Sequence, residues 1–457
     1  MLGQASDWWP VAMHQPDTTR DTISYGIEMS AVAASGTQAP FFIHFRENGN
    51  ISAAPFSGNI TAGIYKPATR PNRWYDYDFG MALTGRFDTE RTTGYFRQLY
   101  AHARVYIIDV TAGITPLQCG SQNPALSMGG LLFSNHAQPI PRISIGIDRY
   151  TPFPGLFGYL EIKGGLTHGW FVDASRLNPA VATPEALLHY KYIGLRAGGS
   201  LPVNISYELH HVAQWGGISP YYGRFATDLK TFTRIFIAGR GGNNQSDQLN
   251  ADGNHIGVQE LALSAKWPQW TITAYWQTIF EDKSANFIGC SNQVDGLWGV
   301  AVRQHQWPFI HSVTYEFLNT TEQDGPYHDR DGLVYGGQSG YYTNSSYAQG
   351  WTHFGRTIGN PFLLPSNNRV RTHYAGIAGD IYGFEYRMMA AYTQNWGTYR
   401  APAKSYNTAL MLEVKKHVQQ AWDLDFGMRI ATDFGTQYGN HFGAMLTISK
   451  QGLIHTY

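Results

Sequence analysis

The sequence predicts an all-β transmembrane barrel of the outer-membrane type, an antiparallel sheet closed on itself, and three observations carry that prediction. Apolar and polar residues alternate at period two along most of the chain, the signature of strands with one apolar face. Charged residues are only 14% of 457, aromatics are another 14% and glycine numbers 50, against a usual charged share of ~25%. Mean hydropathy is nevertheless −0.30, and nothing offers the ~20 apolar residues of a spanning helix. The longest stretch without Asp, Glu, Lys or Arg, residues 110–141, is broken by Pro116, Pro124, Pro139 and Pro141.

The strands follow in chain order. In residues 21–34, Ile23, Tyr25, Ile27, Met29 and Ala31 share one face, and Thr22, Ser24, Gly26, Glu28 and Ser30 the other. In residues 74–84, Tyr75, Tyr77, Phe79, Met81 and Leu83 oppose Asp76, Asp78, Gly80, Ala82 and Thr84. Residues 99–110, 143–147 and 159–163 continue the series. Then Val203, Ile205, Tyr207 and Leu209 oppose Asn204, Ser206, Glu208 and His210, and Trp270, Ile272, Ala274 and Trp276 oppose Thr271, Thr273, Tyr275 and Gln277. Residues 313–317, 372–378, 384–391, 410–414 and 441–449 add further strands. The cleanest lies near the C-terminus, where Trp422, Leu424, Phe426, Met428, Ile430 and Phe434 oppose Asp423, Asp425, Gly427, Arg429 and Asp433. A lipid-facing row opposite a lumenal row, with aromatics near strand ends, is the pattern of a membrane barrel. A soluble sandwich or propeller also alternates, but the propeller's repeat of roughly 40–50 residues is absent. At roughly 25 residues per strand with its share of turn and loop, the length corresponds to about 16–20 strands.

Two segments depart from the rhythm. In residues 224–239, Phe225, Leu229, Phe232 and Phe236 recur at helical spacing, with Thr227-Asp228 as N-cap and Gly239 as stop. A second, shorter helix is expected to begin at Thr183-Pro184-Glu185-Ala186. Helices of this kind are expected in a plug or at the periplasmic mouth, and residues 227–236 are assigned to the periplasmic side. Residues 319–369 carry no strand pattern and are rich in Gly, Tyr, Asn, Ser and Asp. Outer loops are the long ones in such barrels, so this segment is expected outside, or folded into the lumen from outside.

The balance of 33 Lys+Arg against 33 Asp+Glu excludes the broad basic footprint of a nucleic-acid binder. Cys119 and Cys290 sit in Gly/Ser/Asn-rich stretches, compatible with one loop-to-loop bridge or with two free thiols. The start lacks a basic n-region and apolar h-region, which fits a mature chain whose signal has been removed or a protein that stays in the cytoplasm. No hydrolase, zincin or phosphate-loop signature is present, and Asp423 with Asp425 is read as lumen lining. The reading is therefore non-enzymatic, with no cofactor. Asp329 and Asp331, in His328-Asp329-Arg330-Asp331-Gly332, are the weak metal candidates; calcium would use such carboxylates, but the distal Glu is missing and a solvated turn is the default.

Tyr327, Tyr335, Tyr341, Tyr342, Tyr347, Trp351 and Phe354 are interleaved with amides, hydroxyls and acids. Rings can stack on sugars while amides and carboxylates bond the hydroxyls. The same composition suits a loop that packs on itself.

The run Thr321-Glu322-Gln323-Asp324-Gly325-Pro326-Tyr327-His328-Asp329, then Asp331-Gly332-Leu333-Val334-Tyr335-Gly336-Gly337 and Tyr341-Tyr342-Thr343-Asn344, resembles the capsule assembly protein family Wzi in its Bacteroidetes branch. So do Gly350-Trp351-Thr352-His353-Phe354-Gly355-Arg356-Thr357-Ile358-Gly359-Asn360-Pro361-Phe362, Asn367-Asn368-Arg369-Val370-Arg371 and Asn395-Trp396-Gly397-Thr398-Tyr399. The helical patch around Asp228–Phe236, with Gly239-Arg240-Gly241-Gly242, is similar as well; together these blocks span about a third of the chain. The resemblance implies one barrel domain over residues 1–457 with a short N-terminal periplasmic segment, ~18 strands and short periplasmic helices. It also implies a lectin-like role in attaching or organising capsular polysaccharide at the surface of the bacterial outer membrane. Partners would be that polymer, outer-membrane lipid and other outer-membrane proteins. Candidate polysaccharide contacts are Tyr341, Tyr342 and Trp351, with Tyr327 and Arg356. The loops of this branch differ from those of the enterobacterial proteins, so the sugar is not carried over. A porin-like channel and a scaffold subunit of a larger outer-membrane complex are the alternatives.

Overall fold

The computed structural model describes residues 22–69, 73–239, 252–281, 294–326, 328–330, 333–420 and 422–456. Eighteen antiparallel strands form one closed sheet. They are β1 Thr22–Ala34, β2 Phe56–Lys66, β3 Tyr75–Asp88, β4 Thr92–Val105, β5 Ile108–Ile114, β6 Arg142–Pro152, β7 Leu160–Trp170, β8 Leu187–Ala197, β9 Val203–Trp215, β10 Asn254–Lys266, β11 Trp270–Phe280, β12 Gly296–Gln304, β13 Ser312–Asn319, β14 Val370–Ile381, β15 Phe384–Gly397, β16 Pro402–Val418, β17 Leu424–Gly435 and β18 His441–Thr456. Each pairs with its neighbours in sequence, and β18 closes on β1 with Met29 opposite Ile448. Closure leaves no strand edge unpaired, which a sheet in hydrocarbon requires.

The alternation falls as the sequence predicts. Ile27, Met29, Met81, Leu83, Ile205, Met388 and Met428 are exposed on the outer wall, while Asp76, Thr84, Glu208, Glu413 and Arg429 are buried on the inner one. Inner-wall hydroxyls bond across strands, as between Thr61 and Thr84 at 2.8 Å. Exposed aromatics gather near both rims. Phe56, Phe87, Tyr406, Phe434 and Phe442 lie towards one, and Trp74, Tyr106, Trp267, Trp307, Tyr382 and Trp422 towards the other. These are the two interfacial girdles of a lipid-spanning wall.

Three local expectations change. Residues 99–110 are two strands, because Tyr106, with φ 55°, turns the chain between β4 and β5. Trp422 and Asp423 leave the alternation: both have positive φ (58° and 60°) in the turn before β17. The Asp423 carboxylate turns back to His417 at 3.2 Å instead of entering the lumen by register. No helix forms at Thr183–Ala186 either. Glu185 has φ 61°, and the Pro184 carbonyl accepts from the Ile218 amide.

The two ends of the barrel differ. Residues 67–74, 106–107, 153–159, 198–202, 267–269, 305–311, 382–383 and 419–423 make short turns at one end, where β1 also begins and β18 finishes. The other end carries residues 35–55, 115–141, 171–186, 216–253, 281–295 and 320–369, along with three short connections. In outer-membrane barrels short turns face the periplasm and long loops the exterior. Among the described residues, the α-helices α1 Phe41–His44 and α2 Leu229–Ile237 belong to long-loop connections. Residues 227–236 therefore lie at the same end as residues 319–369, which corrects the placement of the helices at the opposite, periplasmic mouth. The expected N-terminal periplasmic segment and Cys290 lie outside the described residues.

A charge on the outer wall tests the facing. Met428 stands mid-strand in β17 and is 45% exposed; Met428→Arg should cost ~2–4 kcal/mol in vesicle-bound denaturant titrations. Phe426→Arg, two residues nearer the turn end, should cost less. Equal and negligible costs at both positions would mean that this face does not meet hydrocarbon.

Candidate functional site: a plugged lumen and its outer rim

Three of the long connections at the loop end turn inward and pack inside the barrel. Residues 35–55, 115–141 and 320–369 supply Phe41, Phe42, Ile43, Leu126, Met128, Leu131, Leu132, Tyr341, Tyr342 and Trp351 to one buried core. That core packs against inward wall residues Val212, Ile256, Val258, Ile279, Leu297 and Leu318. The wall thus has two zones: polar towards the turn end and apolar where it meets the plug.

Ties between plug and wall are mostly charge-assisted. The Glu316 carboxylate accepts from Ser127 Oγ at 2.6 Å, from the Tyr275 hydroxyl at 2.5 Å and from the Met128 amide. Asp433 accepts from the Phe41 amide at 2.7 Å. Arg429 bridges Glu413 at 2.9 Å and Glu47 at 2.7 Å, and donates to the Ile43 carbonyl at 2.9 Å. Gln277 accepts from the Leu131 amide at 2.9 Å. The alternation marks all four wall residues as lumenal, but nothing local in the sequence marks them as anchors.

The candidate sugar platforms are inside this plug. Tyr341, Tyr342 and Trp351 are each 0% exposed. The Trp351 indole donates to the Leu132 carbonyl at 3.0 Å and its ring packs on Phe133 and Phe171. The Tyr342 hydroxyl donates to the Leu131 carbonyl and accepts from the Asn360 amide. The Tyr341 hydroxyl donates to Asp295 at 3.0 Å. Burial pushes the Asp295 carboxyl up to about 6, although it accepts from the Gln323 and Glu322 amides and from Tyr341. Arg356 donates to the carbonyls of His44 (3.1 Å) and Ile51 (2.6 Å), and burial, helped by nearby Arg86, lowers its guanidinium to about 10. Of these four only Arg356 keeps partial exposure. They hold plug segments together, a role that replaces the open platforms expected of the three rings. Tyr327 and Asp331 lie outside the described residues, and Asp329 falls in a short ribbon, His328–Arg330 paired with Leu333–Gly336. Among the described residues no group of three or more ligating side chains could hold a metal ion.

The plug is tight. A pocket of about 30 Å³ lined by Asn48, Phe133, Asn135 and Arg142 has room for no more than about two waters. What the loop end presents outward is a rim of rings and cations. Tyr221 and Tyr222 are 64% and 48% exposed at the tip of the hairpin joining Ile218–Ser219 to Gly223–Arg224. Arg369 lies over the Tyr399 ring at 3.9 Å and Arg176 near Phe354 at 5.8 Å. Such a surface can stack on apolar faces and donate to oxygens.

The eighteen-strand wall finds its match among solved structures. Wzi from Escherichia coli, described as an outer-membrane protein involved in group 1 capsule assembly and a carbohydrate-binding β-barrel, aligns over 93% of this chain and 84% of its own, with a TM-score of 0.58 at 13% identity. The fold is that of an outer-membrane β-barrel. Pseudomonas aeruginosa OccK5 (OpdH) aligns over 96% of this chain and 99% of its own, with a TM-score of 0.49 at 11% identity. No family model and no curated protein matches the chain.

Proposed function

We propose that this barrel binds polysaccharide at the outer surface of the bacterial outer membrane and holds it there, as Wzi-type capsule assembly proteins do, without catalysis or transport. The observation that carries the reading is the filled lumen: a barrel closed by its own outer loops is poorly built to pass solutes. The carbohydrate-binding barrel among its structural neighbours supports the same reading. So does the rim, where Tyr221 and Tyr222 are exposed and Arg369 and Arg176 stand against Tyr399 and Phe354. Outer-membrane lipid would meet the apolar wall, and the polymer would meet the rim.

Each stacking ring is worth ~1 kcal/mol by analogy with other aromatic contacts, so Tyr221→Ala/Tyr222→Ala should weaken a site at the hairpin ~30-fold and Tyr399→Ala a site at its own loop ~5-fold. Avidity on a long polymer masks single changes, which is why three rings are removed together. The readout is cell-retained against shed polysaccharide at matched barrel abundance, beside a deletion strain. More shed polymer in both strains is expected. Full retention in the deletion strain would refute the reading, and so would solute-dependent swelling of liposomes carrying the wild-type barrel.

A further inference from the structure

The outer wall of a membrane barrel should be apolar, yet β7 to β10 break that rule together near the loop end. His168, His189, Lys191, His211 and His255 occupy outward positions on these four adjacent strands, in register with exposed Ile193 and Leu195 on β8 and Ile205 on β9. Helix α2 lies across this patch, on the outside of the barrel. Its Ile235 and Phe232 pack on outward-facing Ala213, Trp215 and Leu187, and its Phe232 and Phe236 rings sit 5.6 and 5.5 Å from His189. The far side of α2 shows Leu229 and Ile237, 80% and 62% exposed, beside exposed Lys230 and Thr233, so the helix covers the imidazoles with a partly apolar surface.

The hydrogen bonding beneath the helix is that of uncharged imidazoles. His255 Nε2 donates to the Asp252 carbonyl at 2.9 Å, which leaves its Nδ1 to accept from His211 Nε2 at 2.9 Å. With both rings neutral, His211 therefore carries its proton on Nε2 and its Nδ1 is bare. His211 Nδ1 and His189 Nε2 are buried with no hydrogen-bond partner. Among the described residues, the charged groups facing the cluster are Lys191 from β8, Arg234 from α2 and Asp252 before β10. Asp252 is already held by Arg234 at 2.7 Å, and Lys191 donates to the Phe236 carbonyl at the helix C-terminus. Among the described residues, a proton added to these rings meets cations and no uncommitted carboxylate. His189 and His255 are buried beneath α2, where water solvates an added charge poorly.

We propose that α2 is an acid-released latch on the outer wall, held down by neutral histidines and lifted when they take up protons. Release exposes a patch of four imidazolium groups and a lysine beside the surface rim. Histidine is the side chain whose charge changes near physiological pH, and a buried cluster of them makes a packed element bistable.

The test places spin labels at Thr233→Cys, on the exposed side of α2, and Ile193→Cys, on the outer wall, with Cys119→Ser and Cys290→Ser, in liposomes. At pH 8 one short, narrow distance is expected. Between pH 7 and 5 a longer, broader population should grow, about tenfold per pH unit for each proton taken up. The His189→Gln/His211→Gln/His255→Gln variant should keep the short distance throughout. An unchanged wild-type distance down to pH 4.5, or parallel opening of wild type and variant, overturns the proposal. If the triple variant does not fold, judged by its heat-shifted gel mobility, Phe232→Ala replaces it. That change should raise the pH of opening, and an unshifted midpoint also overturns the latch.

Discussion

Trp351→Ala should unseal the barrel while leaving its wall standing. The indole is fully buried, touches Phe133 and Phe171 and closes on the Leu132 carbonyl, so its removal leaves a cavity and an orphaned carbonyl at the meeting point of two plug segments. Truncations of this kind cost ~3–5 kcal/mol. Most of that should fall on docking of the plug, because the strand ladder does not involve Trp351. Hydrogen exchange of residues 338–369 should accelerate sharply while the amides of β14 to β18 stay protected. Planar-bilayer conductance should rise from near zero to a fluctuating current. Uniform acceleration across plug and wall would mean that the two are one cooperative unit.

Arg429→Leu should be the most damaging single change in the inner wall. Arg429 is 4% exposed and neutralises Glu47 from the plug and Glu413 from β16. Deleting one member of a buried ion network costs ~3–5 kcal/mol, since the partners stay buried and charged. Arg387 still reaches Glu413 at 2.7 Å, so Glu47 is the carboxylate left stranded. Burial opposes its charge, and Arg429 outweighs burial, holding the Glu47 carboxyl below its ordinary value. In wild type this contribution is present above the unfolded carboxyl range and is lost as pH falls through the lower folded value. In Arg429→Leu the balance reverses: Glu47 prefers its proton, and stability should be higher at pH 5 than at pH 7.5. Arg429→Leu/Glu47→Leu should recover much of the loss. Denaturant midpoints at the two pH values check both statements, and a variant that weakens in acid as wild type does would contradict them.

The wall was largely legible because its chemistry is local. Tyr75 to Leu83 against Asp76 to Thr84 needs only period two and a membrane outside. The plug was not, and Trp351 and Tyr342 show why. A ring with a polar edge serves a sugar surface and a packed core equally well; what differs is the acceptor it meets. Here the acceptors are carbonyls of Leu132 and Leu131, 219 and 211 positions away in the chain, a proximity no local pattern encodes. One clue was present in β10. Its apolar residues change phase from Ile256 and Val258 to Leu261 and Leu263 without a bulge in its pairing with β9. The first pair faces the plug and the second faces outward, beyond the cover of α2. Such a phase change marks where a wall stops being an ordinary polar-inside strand. The helix was found with its cap, Asp228 accepting from the Thr231 amide at 2.7 Å, but its end of the barrel follows from strand count alone.

The Phe41 amide and the Asp433 carboxylate are separated by 392 positions, and this contact dictates an order of assembly. The first plug segment cannot dock until β17, next to last in the chain, stands in the wall. The hydrophobic core of this protein therefore completes after its sheet has closed, the reverse of a soluble domain in which core collapse drives strand pairing. Contacts this distant in sequence are slow to form, and until they form Phe41 and Phe42 face an aqueous lumen. The nascent barrel should thus pass through a leaky, chaperone-accessible stage, and its window of vulnerability is set by how quickly the last two strands arrive.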